Sequence, residues 1–86
     1  MTKHLAWVAV LLALAAAIPA EAAYVCRLNP RGDNFLSLRS GPGTGYSEIT
    51  HLDPDTELNV LDQEGAWLRV RTGGLIGWVY SRYVCD

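Results

Sequence analysis

The side chains that could support catalysis in this 86-residue chain are few and scattered. His51 is the one histidine outside the first few residues, and the serines nearest to it are Ser40 and Ser47. A nucleophile and its base must lie within hydrogen-bond reach of each other, and nothing in this spacing indicates that they do. We therefore predict no catalytic residues.

Metal ligands are equally sparse. Asp53, Asp55 and Glu57 form a small acidic cluster, but they offer fewer ligands than a calcium loop. The two cysteines, Cys26 and Cys85, form no C-x-x-C motif. We expect the acidic cluster to be a solvated turn, and we predict neither a metal nor a cofactor.

The stretch "RSGPGTG", residues 39–45, has the glycine content of a ligand-binding loop. No Lys-Ser or Lys-Thr pair follows it and no helix begins after it, so it is not a phosphate-binding loop. We predict instead that its glycines and proline reverse the chain, and that the arginine before the turn donates to carbonyls exposed there. The residues assigned to this structural role are Arg39, Ser40, Gly41, Pro42 and Gly43.

Large aromatic side chains are better candidates for function, because their flat faces can bind peptides, sugars or proline-rich segments. Trp78 stands in an apolar strand after Gly77, so we assign these two residues to turns and core. In "AWLRVRT", Trp67 alternates with Arg69, which places both side chains on an outer face. The candidate ligand-binding residues are Tyr46, Trp67, Tyr83 and Arg69.

The elements that must position these residues are short strands. Apolar or β-branched runs alternate with turn residues at an interval of about ten, which is the spacing of a small all-β barrel or sandwich. Gly73 and Gly74 predict a β-hairpin, and "SRYVCD" predicts a single tight turn. The predicted strands cover residues 23–28, 35–40, 48–52, 57–64, 66–72 and 75–81. The buried face is expected to carry Leu36, Leu38, Ile49, Leu58, Val60, Leu68, Val70 and Val79.

The first 22 residues have the three regions of a secretory signal peptide: Lys3 and His4, the apolar run "LAWVAVLLALAAAI", and the small residues "AEAA". The A-x-A rule places cleavage after Ala22, which predicts a signal peptide over residues 1–22 and one domain over residues 23–86. An uncleaved membrane anchor is the alternative, but the run is shorter than the roughly 20 apolar residues that a spanning helix needs. We expect a periplasmic or secreted domain with no membrane span after cleavage.

The two cysteines lie near the two ends of this predicted domain. An even pair in an exported protein indicates a disulfide between Cys26 and Cys85. Such a bridge would close nearly the whole domain into one loop and contribute roughly 4 kcal/mol. That contribution matters because a domain of about 60 residues has a core that barely offsets its ordering entropy.

The charges argue against one class of partner. The formal net charge is −2, and residues of both signs are scattered along the chain. No basic stripe of the kind that follows a phosphate backbone is present. We therefore do not expect nucleic acid as a partner.

Three blocks together resemble the bacterial SH3 domain of the type that opens with L-x-[LV]-R-S-G-P-[GS]. They are "RSGPG" at residues 39–43, the G-x-W at Gly65 to Trp67, and the G-W-V at Gly77 to Val79, in the expected order and spacing. The resemblance covers Phe35 to Val84. It implies a small, strongly bent SH3-like β-barrel of five or more strands, with a short 3₁₀ turn before the last strand, and no catalytic activity.

The resemblance also implies a role. Members usually act as binding modules in extracytoplasmic bacterial proteins and often bring a cell-wall enzyme to peptidoglycan, while some engage proteins instead. We expect a non-catalytic module of the periplasm or cell envelope that recognises peptidoglycan or a cell-wall peptide. Binding to a peptide or an envelope protein is the alternative, and an accessory domain without a ligand is a further one.

Overall fold

The computed structural model describes residues 21–86, so the predicted signal peptide lies outside the described residues except for Glu21 and Ala22. Residues 21–86 form seven strands and one 3₁₀ turn, with no α-helix among them. The elements are β1 (Glu21–Val25), β2 (Leu36–Arg39), β3 (Glu48–Leu52), β4 (Glu57–Glu64), β5 (Trp67–Thr72), β6 (Leu75–Tyr80), the 3₁₀ turn (Ser81–Tyr83) and β7 (Val84–Cys85).

All seven strands belong to one antiparallel sheet in the order β3-β2-β6-β5-β4-β1-β7. In a flat sheet β3 and β1 would lie about 24 Å apart, at about 4.8 Å per strand. Leu52 of β3 and Val25 of β1 nevertheless pack in one core cluster, so the sheet is strongly bent. The predicted all-β fold and its C-terminal 3₁₀ turn are confirmed. The barrel is open, because β3 and β7 do not pair within residues 21–86.

The core occupies the concave side of the sheet. The predicted residues Leu36, Leu38, Leu58, Val70 and Val79 are all buried, and this part of the prediction is confirmed. Val60 and Leu68 are half-buried and pack against the cluster. The core also contains residues that the sequence pattern did not indicate, namely Ala23, Val25, Leu52 and Thr72.

Two predicted core positions were wrong. Ile49 is 43% exposed, because Leu52 takes the inward position opposite Leu36 and the alternation of β3 turns Ile49 outward. Trp78 is half-buried and lies outside the core cluster, because Gly77 and Val79 take the inward positions on β6. Ile49, on the edge strand β3, and Trp78, next to Gly77, therefore both lie on the outer face of the sheet.

β1 starts earlier and ends earlier than predicted. Glu21 and Ala22 pair with Val60 and Asn59 of β4, so the predicted cleavage point after Ala22 falls inside this strand. The strand ends at Val25, and Arg27 follows in a left-handed conformation with φ of 58°. This conformation is uncommon for a non-glycine residue, so Arg27 marks a sharp change of direction.

The predicted disulfide is confirmed. It joins Cys26 to Cys85 across 59 residues, with a Cα–Cα distance of 5.9 Å. The backbone N–H of Cys26 also donates to the carbonyl of Tyr83 at 3.0 Å, and β1 pairs with β7 at Val25 and Val84. These contacts fix the segment after β1 against the 3₁₀ turn.

The β5–β6 hairpin is also confirmed. Gly73 and Gly74 both have positive φ, 52° and 82°, as a two-residue turn requires. This turn sets a register in which Thr72 faces Leu75 and, at the far end, Trp67 faces Tyr80. The hairpin therefore places two large aromatic side chains side by side, next to the start of the 3₁₀ turn.

Candidate functional site

A surface groove of about 900 Å³ lies at the end of the β5–β6 hairpin. Its walls come from the segment between β1 and β2, the turn between β2 and β3, and the 3₁₀ turn. The aromatic residues that line it are Phe35, Trp67, Tyr80 and Tyr83. The charged residues that line it are Arg27, Asp33, Arg39 and Arg82.

Three aromatic rings form a continuous wall of the groove. The ring centroids of Trp67 and Tyr80 are 5.6 Å apart, and those of Tyr80 and Tyr83 are 6.1 Å apart, both in tilted arrangements. The backbone N–H of Ser81 donates to the carbonyl of Ala66 at 2.9 Å, which holds the 3₁₀ turn against the start of β5. Tilted aromatic pairs at these distances are mutually stabilising and offer a broad apolar surface.

Two arginines of the groove, Arg39 and Arg27, are held by backbone carbonyl acceptors. Arg39 Nη1 donates to the carbonyls of Thr44 and Tyr46, at 3.3 and 3.0 Å. Arg27 Nη1 donates to the carbonyl of Arg82 at 2.9 Å. Within residues 21–86, no carboxylate oxygen lies within 4.0 Å of a guanidinium nitrogen, since the one ion pair there joins His51 to Glu48. Within this part of the chain, neither guanidinium therefore forms an ion pair.

The glycine-rich turn between β2 and β3 owes its shape to close contacts. A Cβ at Gly41 would lie 2.3 Å from the Tyr46 ring, so this position accepts only glycine while Tyr46 stays in place. The N–H of Ser40 donates to the carbonyl of Ser47 at 2.9 Å and closes the turn. Pro42 lies between two glycines that both approach the same ring. Gly43 and Thr44 line the groove, whereas Tyr46 covers the turn from outside.

A second close approach connects β2 to β6. A Cβ at Gly77 would lie 2.8 Å from the carbonyl oxygen of Arg39 and 2.8 Å from Cγ of Leu38. Backbone atoms cannot move aside as a flexible side chain can, so glycine is needed for β2 to lie this close to β6. Arg39 then reaches the turn carbonyls from its place opposite Trp78.

At the rim of the groove, Glu48 lies between a serine and a histidine. Ser37 Oγ donates to one carboxylate oxygen, and His51 Nε2 lies 2.8 Å from the other. The hydrogen bond from Ser37 is the main cause that holds the pKa of Glu48 below its ordinary value, and the nearby charges of His51 and Arg39 act in the same direction. A serine nucleophile needs the imidazole itself on its hydroxyl, and here the carboxylate occupies that place.

The His51 ring also contacts the groove wall. It stacks on Phe35 with a centroid distance of 3.6 Å and an interplanar angle of 10°. Phe35 and Ser37 both line the groove. Glu48 and His51, both on β3, therefore support the rim of the groove through their contacts with Ser37 and Phe35.

Two of the four predicted ligand-binding residues, Trp67 and Tyr83, lie in the groove. Tyr46 is 51% exposed but covers Gly41 outside it. Arg69 lies farther along β5, opposite Trp78 and away from the groove. The structure therefore brings together only half of the predicted set.

The groove also contains residues that the sequence analysis did not select. Tyr80 could have been found from the hairpin register, because a two-residue turn at Gly73 and Gly74 pairs it with Trp67. Arg27 and Arg82 could have been found from the disulfide, since they lie close in sequence to Cys26 and Cys85. No comparable feature of the sequence indicated that Phe35 would line the groove.

The described part of the chain contains neither a metal-binding cluster nor a membrane-spanning helix. No group of three or more His, Cys, Asp or Glu side chains there could hold a metal ion. Asp55 and Glu57 instead line a shallow depression with Asp86 and Tyr24. None of the helical segments between residues 21 and 86 is long and apolar enough to cross a membrane.

Comparison with known proteins gives two findings. The family model described as bacterial SH3 domain matches residues 34–84. A Bacillus subtilis (strain 168) protein named "Putative N-acetylmuramoyl-L-alanine amidase YrvJ" is 36% identical over 52 residues. That match covers 60% of this chain and 10% of the relative, so the chain shares only a small part of that protein.

Proposed function

Because this chain belongs to the bacterial SH3 domain family, we propose that it is a non-catalytic binding module that recognises peptidoglycan through its groove. The observation that carries this proposal is the wall formed by Trp67, Tyr80 and Tyr83 in the groove. A concave aromatic surface with a few polar groups suits a peptide or sugar chain. The peptide part of the cell wall is the ligand that we favour.

The relative supports the cell-wall assignment. Its name is that of an N-acetylmuramoyl-L-alanine amidase, and the match covers the bacterial SH3 segment within 10% of its length. We propose that the shared segment is a binding part and that the chemistry belongs to the rest of that relative. The arrangement of Ser37, Glu48 and His51 supports a non-catalytic role, because it contains no nucleophile–base pair.

We place the module outside the cytoplasm, in the periplasm or secreted. The disulfide supports this location, because such bonds persist in oxidising compartments. The leader-like composition of residues 1–22 supports it as well, with a mature domain over residues 23–86. N-terminal sequencing of the exported protein tests the cleavage point.

Co-sedimentation with purified sacculi tests the proposed ligand. We expect Trp67→Ala to weaken retention about tenfold or more, as removal of a central aromatic anchor does. Trp78→Ala is the matched control, because Trp78 is also a half-buried strand tryptophan but does not line the groove. Failure of the folded, oxidised wild type to sediment with sacculi at low salt would overturn the proposal.

A partner protein is the second candidate, and the outer edge of β3 favours it. Among residues 21–86, β3 is the last strand of the sheet and pairs only with β2, and its Ile49 is 43% exposed. An unpaired edge with an exposed apolar side chain can add a strand from another chain. Cross-linking in the envelope would show one dominant protein contact, and Ile49→Lys would abolish it if this candidate is right.

A further inference from the structure

We propose that the groove recognises a free carboxylate on its ligand and that the guanidinium groups of Arg82 and Arg27 bind it. This inference rests on the proposed cell-wall function, because a cell-wall peptide is the source of the carboxylate to which we commit. It adds a chemical requirement that an aromatic groove alone does not impose, since aromatic faces accept neutral peptides and sugars as well.

The first support is the distribution of charge. The whole chain has nine Asp and Glu residues against seven Lys and Arg residues. The charged lining of the groove is the reverse, with Arg27, Arg39 and Arg82 against Asp33 alone. A concave site lined by one sign of charge concentrates ligands of the opposite sign. The groove therefore attracts anions in a molecule that otherwise repels them.

The second support is the number of donors that the protein leaves unused. A guanidinium has five N–H donors. In the described part of the chain, Arg27 uses only Nη1, toward the carbonyl of Arg82 and the sulfur of Cys26, and the Arg82 side chain makes no hydrogen bond. No carboxylate there lies within 4.0 Å of either guanidinium. Each guanidinium therefore keeps unused N–H donors, and two parallel N–H groups of one guanidinium match the two oxygens of a carboxylate.

The third support is the way Arg27 is held. Its φ of 58° is in the left-handed region, where a non-glycine residue is strained. The neighbouring backbone fixes it, since the N–H of Cys26 bonds to the carbonyl of Tyr83 and the carbonyl of Val25 accepts from Asp55. Strained positions that the surrounding structure holds in place are frequent at binding sites. The contact of Arg27 with the Arg82 carbonyl then holds its guanidinium against the turn that carries Arg82.

The aromatic wall strengthens this arrangement. Arg82 lies between Ser81 and Tyr83 on the 3₁₀ turn, and Tyr80 and Tyr83 line the same groove. A carboxylate bound there would be partly shielded from water by the rings. Charge-assisted hydrogen bonds are stronger where water is excluded, so the wall and the arginines act on one ligand.

The first experiment uses a soluble probe and the oxidised protein. We would titrate N-acetyl-trialanine, as the free acid and as the C-terminal amide, and follow backbone amide shifts by NMR. The acid is expected to bind at least about tenfold more tightly than the amide, with shifts around the groove and an affinity that falls as salt is added. Equal affinities of acid and amide, or no shifts with either at millimolar concentration, would overturn the inference.

Matched variants assign the effect to particular arginines. Arg82→Gln and Arg27→Asn are expected to remove the preference for the acid, and asparagine is chosen at position 27 because it tolerates positive φ. Arg71→Gln is the control, because Arg71 is exposed on β5 outside the groove. The amide spectrum of each variant shows whether it is folded. A preference that survives in folded Arg82→Gln and folded Arg27→Asn would overturn the assignment.

The second experiment separates this inference from the proposed function. Native sacculi are compared with sacculi whose peptide carboxyls have been converted to amides. Retention on native but not on amidated sacculi supports both ideas, and equal retention overturns the carboxylate inference while the cell-wall function stands. If neither preparation retains the protein but the trialanine acid still binds in preference to its amide, the cell-wall function falls and carboxylate recognition stands.

Discussion

The β5–β6 hairpin presents two different surfaces along one face. At one end the pair Trp67–Tyr80 lies in the groove, while the next two pairs on the same face, Arg69–Trp78 and Arg71–Ile76, do not line it. Both regions have a large apolar side chain on β6 and come from the same alternating pattern. What distinguishes them is the surroundings, because only the first pair is walled by the 3₁₀ turn and by the segment after β1.

Strand residues alone do not make this site. The alternation of β5 correctly placed Trp67 and Arg69 on one face, yet only Trp67 reached a concave surface. The walls come from residues near 27 and near 82, which are distant in sequence and are joined by the β1–β7 pairing and the disulfide. The groove therefore depends on the contacts that join the two ends of the domain. The exposed pairs Arg69–Trp78 and Arg71–Ile76 depend only on the hairpin.

The largest effect is expected from removing the disulfide, which should destabilise the groove walls more than the β5–β6 hairpin. Replacing both Cys26 and Cys85 by serine is expected to lower the free energy of unfolding by roughly 4 kcal/mol, because the unfolded chain regains the freedom of a long loop. Urea denaturation measures this loss. Hydrogen exchange should show early opening of residues 26–35 and 81–86, with the β5–β6 hairpin still protected. Uniform loss of protection would contradict the idea that the groove walls depend on the bridge more than the hairpin does.

A smaller effect is expected at the close approach of β2 to Gly77 of β6. Gly77→Ala should cost about 1–3 kcal/mol, because the new methyl group meets the backbone oxygen of Arg39 and has no room to turn away. Gly41→Ala is the control, since the atom it meets belongs to the half-exposed Tyr46 ring, which can rotate outward. Thermal unfolding of the two variants gives the comparison. A larger loss for Gly41→Ala would show that the Tyr46 ring is fixed more firmly than its exposure indicates.

The smallest effect concerns pH and the rim of the groove. The folded-state pKa of Glu48 is lowered, mainly by the hydrogen bond from Ser37, so the fold favours the ionised carboxyl. Its contribution to stability is full above the unfolded-state pKa and is lost as the pH falls through the folded-state pKa. Chemical denaturation across acidic pH should show this loss in wild type and not in Glu48→Gln. Glu64→Gln, an exposed carboxyl on β4 away from the groove, is the control. Identical pH profiles for wild type and Glu48→Gln would contradict the role of Ser37.

Much of the fold could be predicted from the sequence because its signals are local. The strands over residues 48–52 and 57–64 were predicted with the bounds that the structure has, and the hairpin followed from Gly73 and Gly74. Ile49 was misplaced because β3 is an edge strand, where either face can hold a large apolar side chain. Trp78 was misplaced because glycine at position 77 took the inward position, which a size-based argument would not assign to it.

The site was less predictable because its parts meet only in the folded chain. Tyr83 and Trp67 were chosen as exposed aromatic residues, and that criterion carries no information about which other side chains face them. The predicted disulfide held that information for Arg27 and Arg82, since residues beside two bonded cysteines must be close in space. Phe35 enters the groove through its stack on His51, a contact that no sequence pattern marks.

The bond between Cys26 and Cys85 has one more consequence, for the response of the molecule to proteolytic cleavage. It encloses nearly all of the described chain in a covalent ring, because only residues 21–25 and Asp86 lie outside it. A single peptide-bond cut anywhere between the two cysteines opens this ring but releases no fragment. The two pieces stay attached through the sulfur atoms, so a nicked molecule can keep its strands paired and its groove in place.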